Sequence, residues 1–107
     1  MTSLMIRYEM DPQSGDRVEE QVRRAMAAVD AAGFDGVTWR YWRVAGTNEM
    51  VAILDLADGM ANPLPDIAEA RALQVLVAEV AVGVPPVARP LHLIAACDSA
   101  LAERDRA

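Results

Sequence analysis

Apolar and polar positions alternate in four short stretches of the chain and recur at helical spacing in two longer ones. The alternation predicts strands over residues 4–10, 36–46, 50–57 and 91–97, because successive side chains of a strand point to opposite faces. Apolar residues three and four positions apart predict helices over residues 16–32 and 66–82. The order of these elements predicts an α+β domain of the ferredoxin-like βαββαβ class.

Both predicted helices begin with the same local pattern, an aspartate three residues before a glutamate. Asp16 precedes Glu19 and Asp66 precedes Glu69, which is the spacing of a capping box. Gly33 ends the first helix, and a glycine followed by two prolines ends the second. We therefore predict that both helices begin with a capping box and end at a glycine.

The connections between the elements define the predicted sheet. Right-handed crossovers give an antiparallel four-stranded sheet of order 4-1-3-2, with both helices on one face. A chain of 107 residues suits one domain, which we place over residues 1–97. The C-terminal tail, residues 98–107, is predicted as a short helix or a frayed end.

The sheet face away from the helices is predicted to be both apolar and charged. In the aromatic strand, Trp39 and Tyr41 are assigned to the helix side and Arg40 and Trp42 to the open face. The same alternation assigns Leu91 to the helix side and ten residues to the open face: Met5, Arg7, Glu9, Arg40, Trp42, Val51, Ile53, Asp55, His92 and Ile94. Such a surface is too apolar to stay exposed, so we expect two copies of the chain to pack sheet to sheet.

Charge and composition exclude several other functions. The net charge of −6 argues against nucleic-acid binding, because phosphate recognition needs a basic surface. A single cysteine allows no intrachain disulfide, and the first ten residues lack the apolar core of a signal peptide. Charged residues interrupt every apolar run before it reaches the ~18 residues of a membrane span. A cytoplasmic protein that binds neither membrane nor nucleic acid is expected.

The order of elements over residues 4–97 resembles the dimeric α/β-barrel superfamily, in particular its antibiotic-biosynthesis-monooxygenase-like group. The resemblance lies in topology and size, without a diagnostic motif. It implies a homodimer whose sheets enclose a pocket in each subunit. Some members of that superfamily are cofactor-independent oxygenases of aromatic molecules, some degrade haem, and others isomerise or dehalogenate small molecules. Haem degradation is not expected here, because neither predicted helix carries the histidine that those members use.

Cofactor-independent oxygenation needs a base to form a carbanion and a donor to hold the developing oxyanion. His92 is the candidate base, and Asp55 either orients or replaces it. The candidate substrate-binding residues form one predicted polar row with these two across the open face: Arg7, Glu9, Arg40 and Trp42. The alternative is that these charges only pair between strands and keep the dimer face in register.

Two classes of function remain open from the sequence. The first is a small homodimeric enzyme, without metal or cofactor, that acts on an aromatic or otherwise apolar oxygenated molecule. The second is a noncatalytic dimer that binds a ligand or serves in assembly.

No metal is expected, because one histidine and one cysteine form no zinc pattern. The loop over residues 58–66 either covers the pocket or is only a turn before a helix.

Overall fold

The computed structural model describes residues 1–97. The predicted C-terminal tail therefore lies outside the described residues. The elements are β1 (Thr2–Glu9), α1 (Gly15–Ala32), β2 (Val37–Arg43), β3 (Glu49–Leu56), a 3₁₀ turn (Leu64–Asp66), α2 (Ala68–Val80) and β4 (Arg89–Leu91). This order confirms the predicted α+β, ferredoxin-like class.

The four strands form one antiparallel sheet of order β2-β3-β1-β4, which is the predicted order read from the other edge. On β3, Leu54 lies opposite both Leu4 and Trp39, while Ile53 lies opposite both Met5 and Arg40. Since directly opposed residues share a face, this register confirms the predicted faces of the first three strands.

The hydrophobic core lies between the two helices and one face of the sheet. On β3, the four even-numbered residues from Met50 to Leu56 are buried and the odd-numbered residues between them are half-buried. Met50 belongs to the buried cluster that includes Val18 of α1 and Leu73 and Val77 of α2. The buried side chains, which recur every two residues in the strand and every 3.6 residues in the helices, thus lie in a single core.

The start of each helix differs from the prediction. α1 begins one residue early, with Ser14 at the N-cap, and the Ser14 hydroxyl donates to the Asp11 carboxylate at 2.7 Å. The Gln13 N–H donates to the same carboxylate at 2.9 Å, so Asp11 stabilises the turn before α1. The predicted capping box of Asp16 was wrong, because Asp16 lies within the first turn of the helix and not at its N-cap. α2, in contrast, starts two residues later than predicted, at Ala68, because the 3₁₀ turn Leu64–Asp66 occupies the end of the preceding loop. Gly33 does end α1, in the left-handed region at φ +69°.

The last strand is shorter than predicted and its alternation is reversed. β4 covers only Arg89–Leu91, and Leu91 lies opposite Ser3 on the open face, not on the helix side. Antiparallel pairing carries the chain towards Thr2, where β1 begins, so β4 has almost no partner strand beyond Leu91. Residues 92–97 follow as exposed chain without strand pairing.

Candidate functional site

A cavity of about 360 Å³ lies between the sheet and α2. Its sheet wall consists of Leu4, Ile6, Trp39, Tyr41, Ala52 and Leu54, and its helix wall of Ala70, Leu73, Gln74, Val77 and Ala78. Loop residues complete it, including Asn62, Leu64 and Pro65 from the loop before α2 and Pro85, Pro86 and Ala88 from the loop before β4. The loop over residues 58–66 therefore contributes to the pocket wall.

The cavity exists because small side chains face each other across the layers. Ala52 lies at the middle of β3, directly opposite Tyr41 on β2, and Ala70 is buried on the facing side of α2. Larger side chains at these two positions would fill the space that protein cores normally close.

The aromatic strand supplies the rigid wall of the cavity. Trp39 and Tyr41 are two residues apart on β2 and so project from the same face of the sheet. Their ring centres are 6.4 Å apart and their planes meet at 68°, an edge-to-face arrangement. This geometry gives the cavity an angled aromatic wall rather than a flat one.

Tyr41 of this wall is hydrogen-bonded to a second tyrosine, Tyr8, which does not itself line the cavity. The Tyr8 and Tyr41 hydroxyl oxygens are 2.6 Å apart, and their side chains meet across β3, which separates the two strands. Burial raises the pKa of Tyr8, partly offset by its hydrogen bond with Tyr41. Burial, together with the neighbouring Tyr8, raises the pKa of Tyr41 far above its usual value. Both phenols are therefore neutral at physiological pH and act as hydrogen-bond groups.

Elsewhere the cavity has few polar groups. Asn62 and Gln74 line it at exposed positions near its mouth, and the Asn62 amide oxygen already accepts a hydrogen bond from the Leu64 N–H at 3.0 Å. No aspartate, glutamate, histidine or arginine of residues 1–97 lines the cavity. Burying an unpaired charge there would be costly, so the site suits an uncharged molecule.

The sequence-predicted site residues on the strands project from the opposite face of the sheet. Arg40 and Asp55 lie close together, with 3.5 Å between Arg40 Nη2 and Asp55 Oδ2. The Ser3 hydroxyl donates to the other Asp55 oxygen at 2.5 Å. The guanidinium carbon of Arg40 lies 5.3 Å from the centre of the Trp42 ring. Ser3, Asp55 and Arg40 thus form a paired polar cluster towards the end of the open face where β1 begins, and Arg40 also contacts Trp42.

The remaining predicted site residues lie away from that cluster. Arg7 forms an ion pair with Glu49, and Glu9 lies opposite Glu49 near the other end of β1 and β3. His92 follows β4 as an exposed residue, beyond the pairing of Leu91 with Ser3. The expectation of one continuous row from His92 through Arg7 and Glu9 was therefore wrong, because the register of β4 carries His92 towards the start of β1. The catalytic and substrate-binding roles of all six residues stay predictions.

The sequence analysis missed Tyr8, Tyr41 and Trp39 as site residues. The alternation does assign Trp39 and Tyr41 to the helix side, which is where a hydrophobic core is expected. The signal that could have distinguished a pocket wall from core is the set of alanines that face them, Ala52 on β3 and Ala70 on α2.

Two further features are absent from residues 1–97, a metal-binding cluster and a membrane-spanning helix. Nowhere in that range do three or more histidine, cysteine, aspartate or glutamate side chains come together to hold a metal ion. Neither helix has the length and apolar character needed to cross a membrane.

No protein-family model matches the chain, and no significant match exists among curated proteins. Solved structures do match. An antibiotic biosynthesis monooxygenase has a TM-score of 0.70 at 11% identity, covering 89% of this chain and 100% of that one. NE2512, a protein of unknown function from Nitrosomonas europaea, has a TM-score of 0.66 at 19% identity, covering 90% and 91%. The L-rhamnose mutarotase of Formosa agariphila has a TM-score of 0.56 at 14% identity, covering 90% and 98%.

These likenesses define the class of fold. The chain has the ferredoxin-like fold of the antibiotic biosynthesis monooxygenase-like proteins, in agreement with the resemblance seen in its sequence. Proteins that share this fold differ in function, since one is an antibiotic biosynthesis monooxygenase, another is an L-rhamnose mutarotase, and NE2512 is of unknown function. Function must therefore be argued from the cavity itself.

Proposed function

We propose that this protein binds an uncharged, ring-bearing small molecule in the cavity between the sheet and α2. The observation that carries the proposal is an apolar chamber with an aromatic wall, Trp39 and Tyr41, and no charged lining residue in the described chain. Its volume of about 360 Å³ falls within the usual range for small-molecule sites. A flat ring can pack against the aromatic wall without burying a charge.

A matched pair of variants on α2 tests this proposal. Ala78 and Ala72 are both exposed on the same helix, but only Ala78 lines the cavity. Ala78→Trp should block the site and weaken binding of the bicyclic hydrocarbon tetralin at least tenfold, whereas Ala72→Trp should leave the affinity unchanged. Ligand-detected NMR titration with the full chain gives the affinities. Equal affinities in the two variants, or no binding by the unmodified protein, would contradict the proposal.

The second candidate function is cofactor-independent oxygenation of the bound molecule. It is favoured by the fold likeness to an antibiotic biosynthesis monooxygenase and by one neutral phenol, Tyr41, on the wall of an apolar chamber, where such a donor can stabilise an oxyanion. In the proposed reaction a phenolic substrate loses its proton to water, and a ring carbon then attacks O₂. One oxygen atom stays on that carbon as a new carbonyl, and the other leaves as water with electrons drawn from the ring. A phenol and O₂ thus give a quinone and water.

Oxygen consumption tests this second candidate. With 1-naphthol as the probe, the protein should consume one O₂ for each 1,4-naphthoquinone formed, without added metal or flavin. The Ala78→Trp variant should lose this activity and Ala72→Trp should retain it. Tetralin binding without any oxygen uptake from 1-naphthol would leave the binding function and refute the oxygenase.

We also propose that the protein is a homodimer in which the open sheet faces of two copies pack together. Half-buried Met5, Val51 and Ile53 share that face with the partly exposed Trp42. Ile53→Glu would place a charge at the centre of this surface and should shift the sedimentation coefficient to that of a monomer. Val75→Glu, on the exposed outer side of α2, is the matched control and should leave the dimer intact. A monomeric unmodified protein at micromolar concentration would contradict the proposal.

A further inference from the structure

We infer that Tyr8 and Tyr41 form a one-way hydrogen-bond relay: Tyr8 donates to Tyr41, and Tyr41 donates to an acceptor oxygen on the bound molecule. The relay would select a ligand that carries a carbonyl or ether oxygen at its buried end. This inference rests on the proposed binding function of the cavity and names the chemistry that the cavity prefers.

The direction of the relay follows from which hydroxyl can reach another acceptor. Each hydroxyl has one hydrogen, and the two oxygens are 2.6 Å apart, so one hydroxyl donates to the other. Tyr8 is only 6% exposed and does not line the cavity, whereas Tyr41 does. Within residues 1–97 the Tyr8 hydroxyl is hydrogen-bonded to Tyr41 and to no other side chain or carbonyl.

If Tyr41 donated to Tyr8, the Tyr8 hydrogen would be buried without an acceptor. Leaving a buried donor unsatisfied costs about 1–3 kcal/mol, enough to select the opposite direction. Tyr8 therefore donates, and the hydrogen of Tyr41 remains available to the cavity.

The same arrangement makes Tyr41 a stronger donor than an isolated phenol. A hydroxyl that accepts a hydrogen bond is polarised and donates more strongly in turn. Because burial raises the pKa of both tyrosines, neither hydroxyl loses its hydrogen at physiological pH. The other polar lining groups, Asn62 and Gln74, are exposed near the mouth, where water competes for them. Tyr41 is thus the donor best placed to recognise the buried end of a ligand.

A ketone and its parent hydrocarbon test the relay. 1-Tetralone and tetralin have the same ring skeleton and differ by one carbonyl oxygen. In Tyr41→Phe the affinity for 1-tetralone, taken relative to the affinity of the same variant for tetralin, should fall about 3- to 10-fold, the usual worth of one hydrogen bond. Difference infrared spectroscopy should show a lowered carbonyl stretching frequency for bound 1-tetralone in the unmodified protein, and no such shift in Tyr41→Phe.

The Tyr8→Phe variant tests the direction of the relay. If Tyr8 donates to Tyr41, its removal weakens the Tyr41 donor, so the 1-tetralone affinity and the carbonyl shift should both decrease. If Tyr41 instead donates to Tyr8, the same substitution frees the Tyr41 hydrogen, and both should increase. An increase would overturn the inference.

The outcomes distinguish a failure of the relay from a failure of the proposed binding function on which the relay rests. Tetralin binding with an unshifted 1-tetralone carbonyl band in the unmodified protein would overturn the relay and leave the proposed function standing. Absence of binding by both probes would overturn the two together. The circular dichroism spectrum of each variant serves as the control for folding, and the carbonyl band of the unmodified protein decides between the outcomes if a variant does not fold.

Discussion

Alkaline pH should destabilise this protein through its two tyrosines. Tyr8 and Tyr41 are the only tyrosines of the chain, and each pairs with the other. Burial raises the pKa of both, so the folded protein keeps their protons at a pH where the unfolded chain has lost them. Above the ordinary tyrosine pKa of about 10, the folded state therefore binds more protons than the unfolded state, and stability falls as pH rises.

The size of the effect follows from proton linkage. At about pH 11, ionisation stabilises the unfolded chain by about 1.4 kcal/mol for each tyrosine that the fold holds neutral, so the two tyrosines together contribute at most about 2.8 kcal/mol. For a domain of this size that loss corresponds to a fall of roughly 10 to 20 °C in Tm. Below about pH 9 the contribution disappears, because the tyrosines are protonated in both states.

The absence of lysine from the sequence makes this pH dependence simpler to interpret. All 10 basic residues are arginines, which stay protonated throughout the range, so no lysine titrates alongside the tyrosines. Thermal unfolding by circular dichroism between about pH 9 and pH 11 should show the fall in Tm, and a Tyr8→Phe/Tyr41→Phe double variant should show a shallower one. Tyrosinate absorbance should appear together with unfolding. Tyrosinate that forms near pH 10 while the protein stays folded would refute the reasoning.

Two further predictions concern stability and dynamics. Gly36→Ala should lower the free energy of unfolding by about 1–3 kcal/mol in urea titrations, because Gly36 has φ +80° and a Cβ there would lie 2.7 Å from the Ala57 Cβ. Gly46→Ala is the control, since Gly46 has a similar φ of +75° with open space around it, and equal losses would contradict the steric argument. Arg43→Lys should speed amide hydrogen exchange in the hairpin after β2, because the planar guanidinium donates at once to the Thr47 carbonyl and the Asn48 side chain. Unchanged exchange would show that the hairpin does not depend on Arg43.

The fold was predictable from the sequence wherever the pattern is local and repeated. The faces of β1, β2 and β3 follow from strict alternation, and the sheet order follows from the handedness of the crossovers. The pattern failed at β4, where the alternation of residues 91–97 continues past the point at which β1 can pair. A strand ends where its partner ends, and that limit belongs to the register of two distant segments.

The candidate site was less predictable for a different physical reason. Ionisable residues stand out in a sequence, and they directed attention to Asp55 and His92. A cavity arises instead where packing is incomplete, which depends on Ala52 and Ala70 facing each other from separate elements. Neither alanine is unusual in its own element, so only the assembled layers show that the aromatic wall of β2 is left partly uncovered.

The charges of the open face also bear on whether a second copy can cover it. Transferring a lone charge into an interface is costly, but a charge that is already paired costs less to desolvate. Asp55 is paired within its own protomer, with Arg40 at 3.5 Å and the Ser3 hydroxyl at 2.5 Å, and its side chain is only 17% exposed before any association. Arg7 is likewise paired with Glu49. The apolar residues between these two clusters can therefore drive association while the clusters resist it little. The two faces of the sheet would therefore serve different purposes: the charged open face suits association with a second copy, and the uncharged cavity on the helix side suits the binding of a ligand.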